Sequence, residues 1–285
     1  MKSNQKSAVW QKHSTHWSRV GAPLRPTEED GCLMFELATP VLAGVHDAQI
    51  MVMGVTPEVV QLPWPRGAQL QAFDCSEAMI ASIWRPHAEI SSAVQCARWQ
   101  QLPLQNGAMD LIVGDGATTQ FAGLVDYQEV FSELARVLKP GGALIMRCFL
   151  RQQSSDELDA IKRSALAGEI ASFGTLKWRI AMALVGQRSG FGIRVTEIFA
   201  AFESLFPDRD QLSRQAAWPR EDIDTIDAYR GAEACYTFPT LAELLQIIAP
   251  WFELAAVRHG TYELADCCPT IALHRLSTTN PGLVS

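Results

Sequence analysis

The chain has 285 residues, 48% of them hydrophobic, which suffices for one large core with a sizeable insertion and excludes a disordered polymer. Its net charge of −7, from 31 acidic and 24 basic residues, leaves no basic footprint for a nucleic-acid backbone and points to a small-molecule partner instead. The seven cysteines are scattered without a C-x-x-C pair, the opening "MKSNQKSAVWQKHSTHW" is polar, and no apolar run approaches the roughly 18 residues of a membrane span. Those features argue against a disulfide framework, a cysteine zinc site and a membrane anchor, and predict a cytoplasmic monomer or homodimer.

Residues 1–27 hold Trp10, Trp17 and the proline-punctuated "GAPLRP", and are expected to fold back as a lid. "TEEDGCLMFELATPVLAG" reads as a helix running to Gly44, with Thr27 as N-cap and Asp30 in its first turn. From residue 49 the segments alternate. "QIMVMGV", "AQLQAFDCS", "SAVQCARW", "MDLIVGDG" and "GALIMRCFL" read as strands, with "PEVVQLP", "SEAMIASIW" and "LVDYQEVFSELARVL" as the helices between them. Strands alternating with helices imply right-handed crossovers and a doubly wound, mostly parallel sheet.

Residues 151–250 break that rhythm with "DELDAIKRSALAGEIASF", "LKWRIAMALV", "VTEIFAAFESLF" and "TLAELLQIIAPWF", all helical in spacing, and read as a cap inserted between strands five and six. The chain returns to strands at "FELAAVRHGTY" and "CPTIALHRL", so that 28–150 and 251–285 together form the α/β core.

In such a sheet the ligand lies beyond the carboxyl ends of the strands, beside the first one. Here that turn is "MGVTPE". Gly54 permits close approach, Val55 follows it, and Thr56 precedes Pro57 at a helix start that leaves amides open to polar groups. The bulk of Val55, Thr56 and Pro57 disfavours a pyrophosphate, and with it NAD and FAD. A phosphate-free nucleoside ligand is a better match, because Asp74, twenty residues after Gly54, can accept both hydroxyls of a ribose, with Cys75 beside it; a helix cap for "SEAMI" is its alternative role.

These residues resemble the class I S-adenosylmethionine-dependent methyltransferases over roughly 28–150, with a looser echo at 250–275. The resemblance is carried by "FSELARVLKPGGALIMRCF", similar to the family's helix, "LKPGG" turn and fifth strand; by "LQAFDCSEAMI", similar to its second strand; and by "QLPLQNGAMDLIVGDG", similar to its approach to the fourth. It implies a seven-stranded Rossmann-like fold, S-adenosylmethionine as cofactor and S-adenosylhomocysteine as product. The first motif departs from the family, retaining Gly54 alone, and Arg98 stands where the family often has an acid for the adenine amino group. An arginine cannot accept those hydrogens, so backbone amides near Trp99 and its ring are expected to serve adenine, with an ordinary core role for Trp99 as the alternative.

Methyl transfer needs alignment more than acid–base help. Asp115, in "VGDG" beside Gly114, is the first candidate for a base, with a turn-closing role as its alternative; His259 is the second. Tyr127 and Tyr236 border the expected acceptor pocket, and Arg19 or Arg25 could meet the cofactor's carboxylate. The cap's acidic segment "PREDIDTIDAYRG" argues against an anionic acceptor. His13 and His16 lack a third partner for a metal, so none is expected. A non-catalytic protein on the same fold is the other reading, and a nicotinamide or flavin oxidoreductase is disfavoured by both "MGVTPE" and "LKPGG".

Overall fold

A computed structural model describes residues 21–154 and 156–277. Trp10, Trp17, Arg19, His13 and His16 therefore lie outside the described residues. Seven strands form the main sheet: β1 (Gln49–Met53), β2 (Gln69–Asp74), β3 (Ser91–Cys96), β4 (Met109–Asp115), β5 (Leu138–Arg147), β8 (Phe252–Arg258) and β9 (Thr270–Arg275). Their order is β3-β2-β1-β4-β5-β9-β8, with β9 antiparallel to both neighbours and the pairings from β3 across to β5 parallel. The direction of strand progression reverses at β1, so the carboxyl ends of β1, β2 and β4 frame a crevice.

Helix α1 (Glu28–Leu42) starts where the sequence suggests, in a capping box: the Asp30 amide donates to Thr27 Oγ1 at 3.1 Å and the Thr27 amide donates to Asp30 Oδ2 at 2.8 Å. It lays Met34, Leu37, Ala38 and Leu42 on one face of the sheet, against residues of β1, β4 and β5 such as Ile50, Leu111 and Ile145. The short α2 (Pro57–Val60) and α3 (Glu77–Ile83) follow β1 and β2, and Ser76 caps α3 by accepting from the Met79 amide. On the opposite face α4 (Leu124–Val137) buries Val130, Phe131, Leu134 and Val137. Burying these apolar side chains on both faces supplies the main driving force for the layered core, at ~25 cal/mol per Å² of apolar surface removed from water.

The "LKPGG" turn has a steric origin. A Cβ at Gly142 would lie 2.9 Å from the Asp110 carbonyl oxygen, so only glycine lets β5 close against β4 there. Lys139 adds an ion pair to Asp110 at 2.8 Å. The preceding "LP" loop is fastened to α4, since Glu133 accepts from the Leu102 amide and Arg136 donates to the carbonyls of Leu102 and Leu104.

Between β5 and β8 come α5 (Leu158–Leu166), α6 (Phe173–Gly186), α7 (Val195–Leu205), α8 (Arg209–Ala216), α9 (Arg220–Asp224) and α10 (Leu241–Ile248). The helix expected over 156–173 is shorter, ending at Leu166, and the one expected at "LKWRIAMALV" starts earlier, at Phe173. Gly168 adopts φ +71 after α5, and Ser172 restarts the chain by capping α6 at the Thr175 amide. Two three-residue strands, β6 (Gly192–Arg194) and β7 (Cys235–Thr237), pair antiparallel and are too short to show alternation in sequence. Most of the insertion packs around its own aromatic cluster, including Phe173, Trp178, Phe202, Trp218 and Tyr229. α10 differs, because Leu244 and Ile248 join the cluster beneath α4.

Candidate functional site

The carboxyl ends of β1 and β2 bring Gly54 and Asp74 together. Gly54 has φ +90, a conformation side chains rarely adopt, and a Cβ placed on it would lie 3.7 Å from Asp74 Oδ2. Asp74 accepts from the Ser76 amide through Oδ1 at 2.8 Å, while the cap of α3 is Ser76 itself, and the other oxygen, Oδ2, faces Gly54. Burial pushes its pKa up, and the Ser76 amide pulls it back. The Phe73 carbonyl between them accepts twice, from the Gly54 amide at 2.8 Å and from Trp99 Nε1 at 2.7 Å, tying the ends of β1 and β2 to the loop after β3. Trp99 is thus fixed by its indole N–H, with its ring edge-on to Phe121 at 6.4 Å.

The side chains around this point lean away from it. Val55 packs with Met79 and Ile83 on α3, and Trp64 meets Phe35 edge-on. Thr56 precedes α2 but makes no side-chain cap bond, and Pro57 occupies the first turn as expected. Cys75 and Arg98 are exposed. Gly114 stands against Met53, where a Cβ would come within 3.3 Å of the Met53 Cβ.

Beyond β4 and β5 lies a buried charge network absent from the sequence reading. Arg147, at the end of β5, is 0% exposed. Its Nε donates to Asp115 Oδ1 at 2.5 Å, its Nη1 donates to the Pro23 carbonyl at 2.9 Å and to Tyr262 at 3.1 Å, and Asp30 lies 3.5 Å away. Tyr262 donates in turn to Asp30 at 2.9 Å. Burial opposes the Arg147 charge, but the Asp115 and Asp30 carboxylates outweigh it and hold its pKa above the usual arginine value. Asp115 is therefore an ion-pair partner, and its expected role as a free base needs correction: the carboxylate is already spent on a fully buried guanidinium. Burial pushes the Asp115 carboxyl up while Arg147 works in the opposite direction. A lone arginine in the apolar run "GALIMRCFL" was the available signal.

The other expected site residues fare differently. Tyr127 is 0% exposed and hydrogen-bonds Thr237 and the Thr118 carbonyl beneath the sheet end, so it packs as core and does not border an open pocket. Tyr236 is likewise enclosed, between Trp178 and Tyr229 in the cap. His259 follows β8, at the sheet's far edge, with Nδ1 3.4 Å from the Ala265 carbonyl and 4.0 Å from Asp266. Arg25 meets Glu58 of α2 at 2.5 Å in place of a ligand carboxylate. In the described part of the N-terminal segment the Ala22 carbonyl accepts from Ser172 of the cap, the Pro23 carbonyl accepts from Arg147, and Arg25 makes this pair. Gly116, at φ +60, lies under Phe149, where a Cβ would come within 2.7 Å of the ring. Phe149 packs edge-on against Trp178 of the cap at 5.3 Å.

Residues 53–146 match the family described as "Methyltransferase domain". The resemblance to class I S-adenosylmethionine-dependent methyltransferases is matched over that span, and the looser echo at 250–275 lies outside it. That span opens at the last residue of β1 and contains Gly54, Asp74, Trp99, Gly114 and Asp115. A curated relative, the malonyl-[acyl-carrier protein] O-methyltransferase of Hahella chejuensis, is 34% identical over 85 residues, 30% of this chain and 29% of that protein. In fold, a Rhodobacter sphaeroides protein described among the Zn-dependent alcohol dehydrogenases aligns with 95% of this chain and 99% of its own at a TM-score of 0.60. At 13% identity that likeness concerns architecture alone, and among the described residues no group of three or more His, Cys, Asp or Glu side chains is arranged to hold a metal. A Methanosarcina mazei S-adenosylmethionine-dependent methyltransferase aligns over 83% of this chain and 97% of its own, at 14% identity and a TM-score of 0.48. No helix among the described residues is long and apolar enough to cross a membrane.

Proposed function

We propose that this protein transfers a methyl group from S-adenosylmethionine to a small-molecule acceptor. The observation that carries this reading is the pairing of Gly54, at φ +90, with Asp74, whose Oδ2 faces it, inside the stretch that matches a methyltransferase domain. The donor set fits the cofactor. Asp74 would accept from the ribose hydroxyls, Gly54 would give the backbone approach, and the Trp99 ring would flank the adenine. Phosphate-cradling glycines are not required, which accounts for the tolerance of Val55 and Pro57 after Gly54.

When bound, S-adenosylmethionine supplies a methyl group activated on a sulfonium, so the protein's work is to align the acceptor and exclude water. Phe149, after β5, and Trp178 of the cap would wall the acceptor side, and the segment from Ala22 to Arg25 would help close it. The ion pair with Arg147 holds Asp115 in a fixed position beside that side. An acceptor whose nucleophile is already unprotonated suits such a site best.

The reading is tested by titrating the purified chain with S-adenosylmethionine and S-adenosylhomocysteine in a calorimeter, with Asp74→Ala as the paired variant. Binding that the variant loses supports it. A folded, ligand-free protein that binds neither would move the chain to a non-catalytic role on the same fold.

A further inference from the structure

Glu58 is the second residue of α2, four positions after Gly54, in the turn that leads out of β1. The two oxygens of its carboxylate differ. Oε1 accepts from Arg25 Nε at 2.5 Å, whereas Oε2 is shut off from water and has no hydrogen-bond partner. A carboxylate oxygen without a donor is costly, and buried polar groups are as a rule satisfied, so an unmet acceptor beside the crevice calls for a reason. The Glu58 side chain is 23% exposed and that of Arg25 31%, which places the pair at the surface, within reach of a ligand.

The strand order decides what lies on either side of Gly54. Toward β2 and β3 stand Asp74 and Trp99, the proposed contacts of the ribose and the adenine. Toward β4 the surroundings are charged: α2 packs against β4, and Glu58 is close enough to Asp115, at the end of that strand, for its charge to push the Asp115 carboxyl up. A nucleoside seated at Asp74 that keeps to the crevice carries the rest of its molecule across β1 toward β4, past Glu58. In S-adenosylmethionine that remainder is a sulfonium followed by an α-amino acid. The sulfonium has no hydrogen to donate, while the ammonium has three. Of the acids on this side, Asp115 pairs with Arg147, and Asp30 accepts from Tyr262 and the Thr27 amide; Glu58 keeps an oxygen open.

We propose that Glu58 Oε2 receives the α-ammonium of the cofactor, with Arg25 fixing the carboxylate through Oε1. The contact is a charge-assisted hydrogen bond, the strong kind, and it gives the glycine-poor turn after β1 a side-chain hold on the amino-acid end of the ligand. It also makes Glu58 a specificity residue, because a nucleoside without that amine gains nothing from it. The assignment rests on the function proposed above.

The test titrates the full chain by calorimetry with three ligands that share one nucleoside: S-adenosylhomocysteine; its decarboxylated form, which keeps the amine; and methylthioadenosine, which has lost the amino-acid end. The parent should bind both amines at least tenfold more tightly than methylthioadenosine. Glu58→Gln should weaken both amines at least tenfold and change methylthioadenosine less than twofold, whereas Asp74→Ala should weaken all three. An equal loss for all three ligands in Glu58→Gln would mark a structural role for the Arg25 pair and overturn the assignment. So would a decarboxylated form that binds the parent no better than methylthioadenosine, a comparison that needs no variant. Tight binding of S-adenosylhomocysteine by the parent and equally by Glu58→Gln overturns the assignment and leaves the methyltransferase reading standing. A parent that binds none of the three overturns both.

Discussion

The two buried cations among the described residues are treated in opposite ways. Arg147 in the core is surrounded by partners: Asp115, Asp30, Tyr262 and the Pro23 carbonyl, drawn from four separate parts of the chain. Lys177 in the cap has two rings and a distant carboxylate. The first arrangement fastens structure, joining the N-terminal segment, α1, β4, β5 and the loop after β8 at one point. The second rests on aromatic faces. The core meets its buried cation with carboxylates, while the cap meets its own with rings.

Removing each cation should separate the two roles sharply, and with opposite signs. Arg147→Met strands two buried carboxylates, and should destabilise the fold by ~3–5 kcal/mol, the range for breaking a buried pair from one side. Urea unfolding would show it as a lower midpoint. Lys177→Met should do the reverse. The folded pKa of Lys177 is depressed from 10.5 to about 8, so the unfolded chain binds the extra proton between those values and stability rises with pH across that window. At neutral pH the charged amine costs up to ~3 kcal/mol, which methionine would return. The gain should shrink as pH climbs past 8 and vanish above the ordinary lysine value. A variant less stable than the parent at pH 7 would mean that the ring contacts outweigh desolvation.

The core was legible in sequence because its rules are local. "LKPGG" needs glycine where Gly142 meets the Asp110 carbonyl, and Thr27 with Asp30 announces the start of α1 within four residues. The cap and the charge network follow no such rule. Asp30, Asp115, Arg147 and Tyr262 are far apart in the chain and meet only after β5 and the loop beyond β8 have been placed. Asp115 illustrates the limit. Its position after the fourth strand was readable, but the partner that removes it from base duty was not. Lys177 sits in "TLKWRIAMALV", where helical periodicity alone gives no sign that a lysine is buried.

Within the core, a smaller effect divides ligand binding from stability. Asp74→Ala should weaken S-adenosylhomocysteine at least tenfold, ~1.4 kcal/mol or more, because a charged acceptor for two hydroxyls is gone. The fold should change little, since the Ser76 amide is freed beside a crevice that water can enter.

The smallest expected effect lies at Trp99. Its indole N–H shares the Phe73 carbonyl with the Gly54 amide, so Trp99→Phe removes one of two bonds and leaves the carbonyl satisfied. A loss of ~1 kcal/mol or less in stability follows, the net worth of one hydrogen bond whose partner is not orphaned. Phenylalanine keeps an aromatic face but loses the tether that sets its angle against Phe121. If Trp99 flanks the adenine, cofactor affinity should fall several-fold in this variant, more than the stability loss alone would suggest. If it is core packing only, stability and affinity should part company the other way, with unfolding affected and S-adenosylhomocysteine binding as in the parent. Placing Trp99→Phe beside Asp74→Ala in the same titration therefore tells whether the crevice grips its ligand at the ribose alone or along the whole nucleoside.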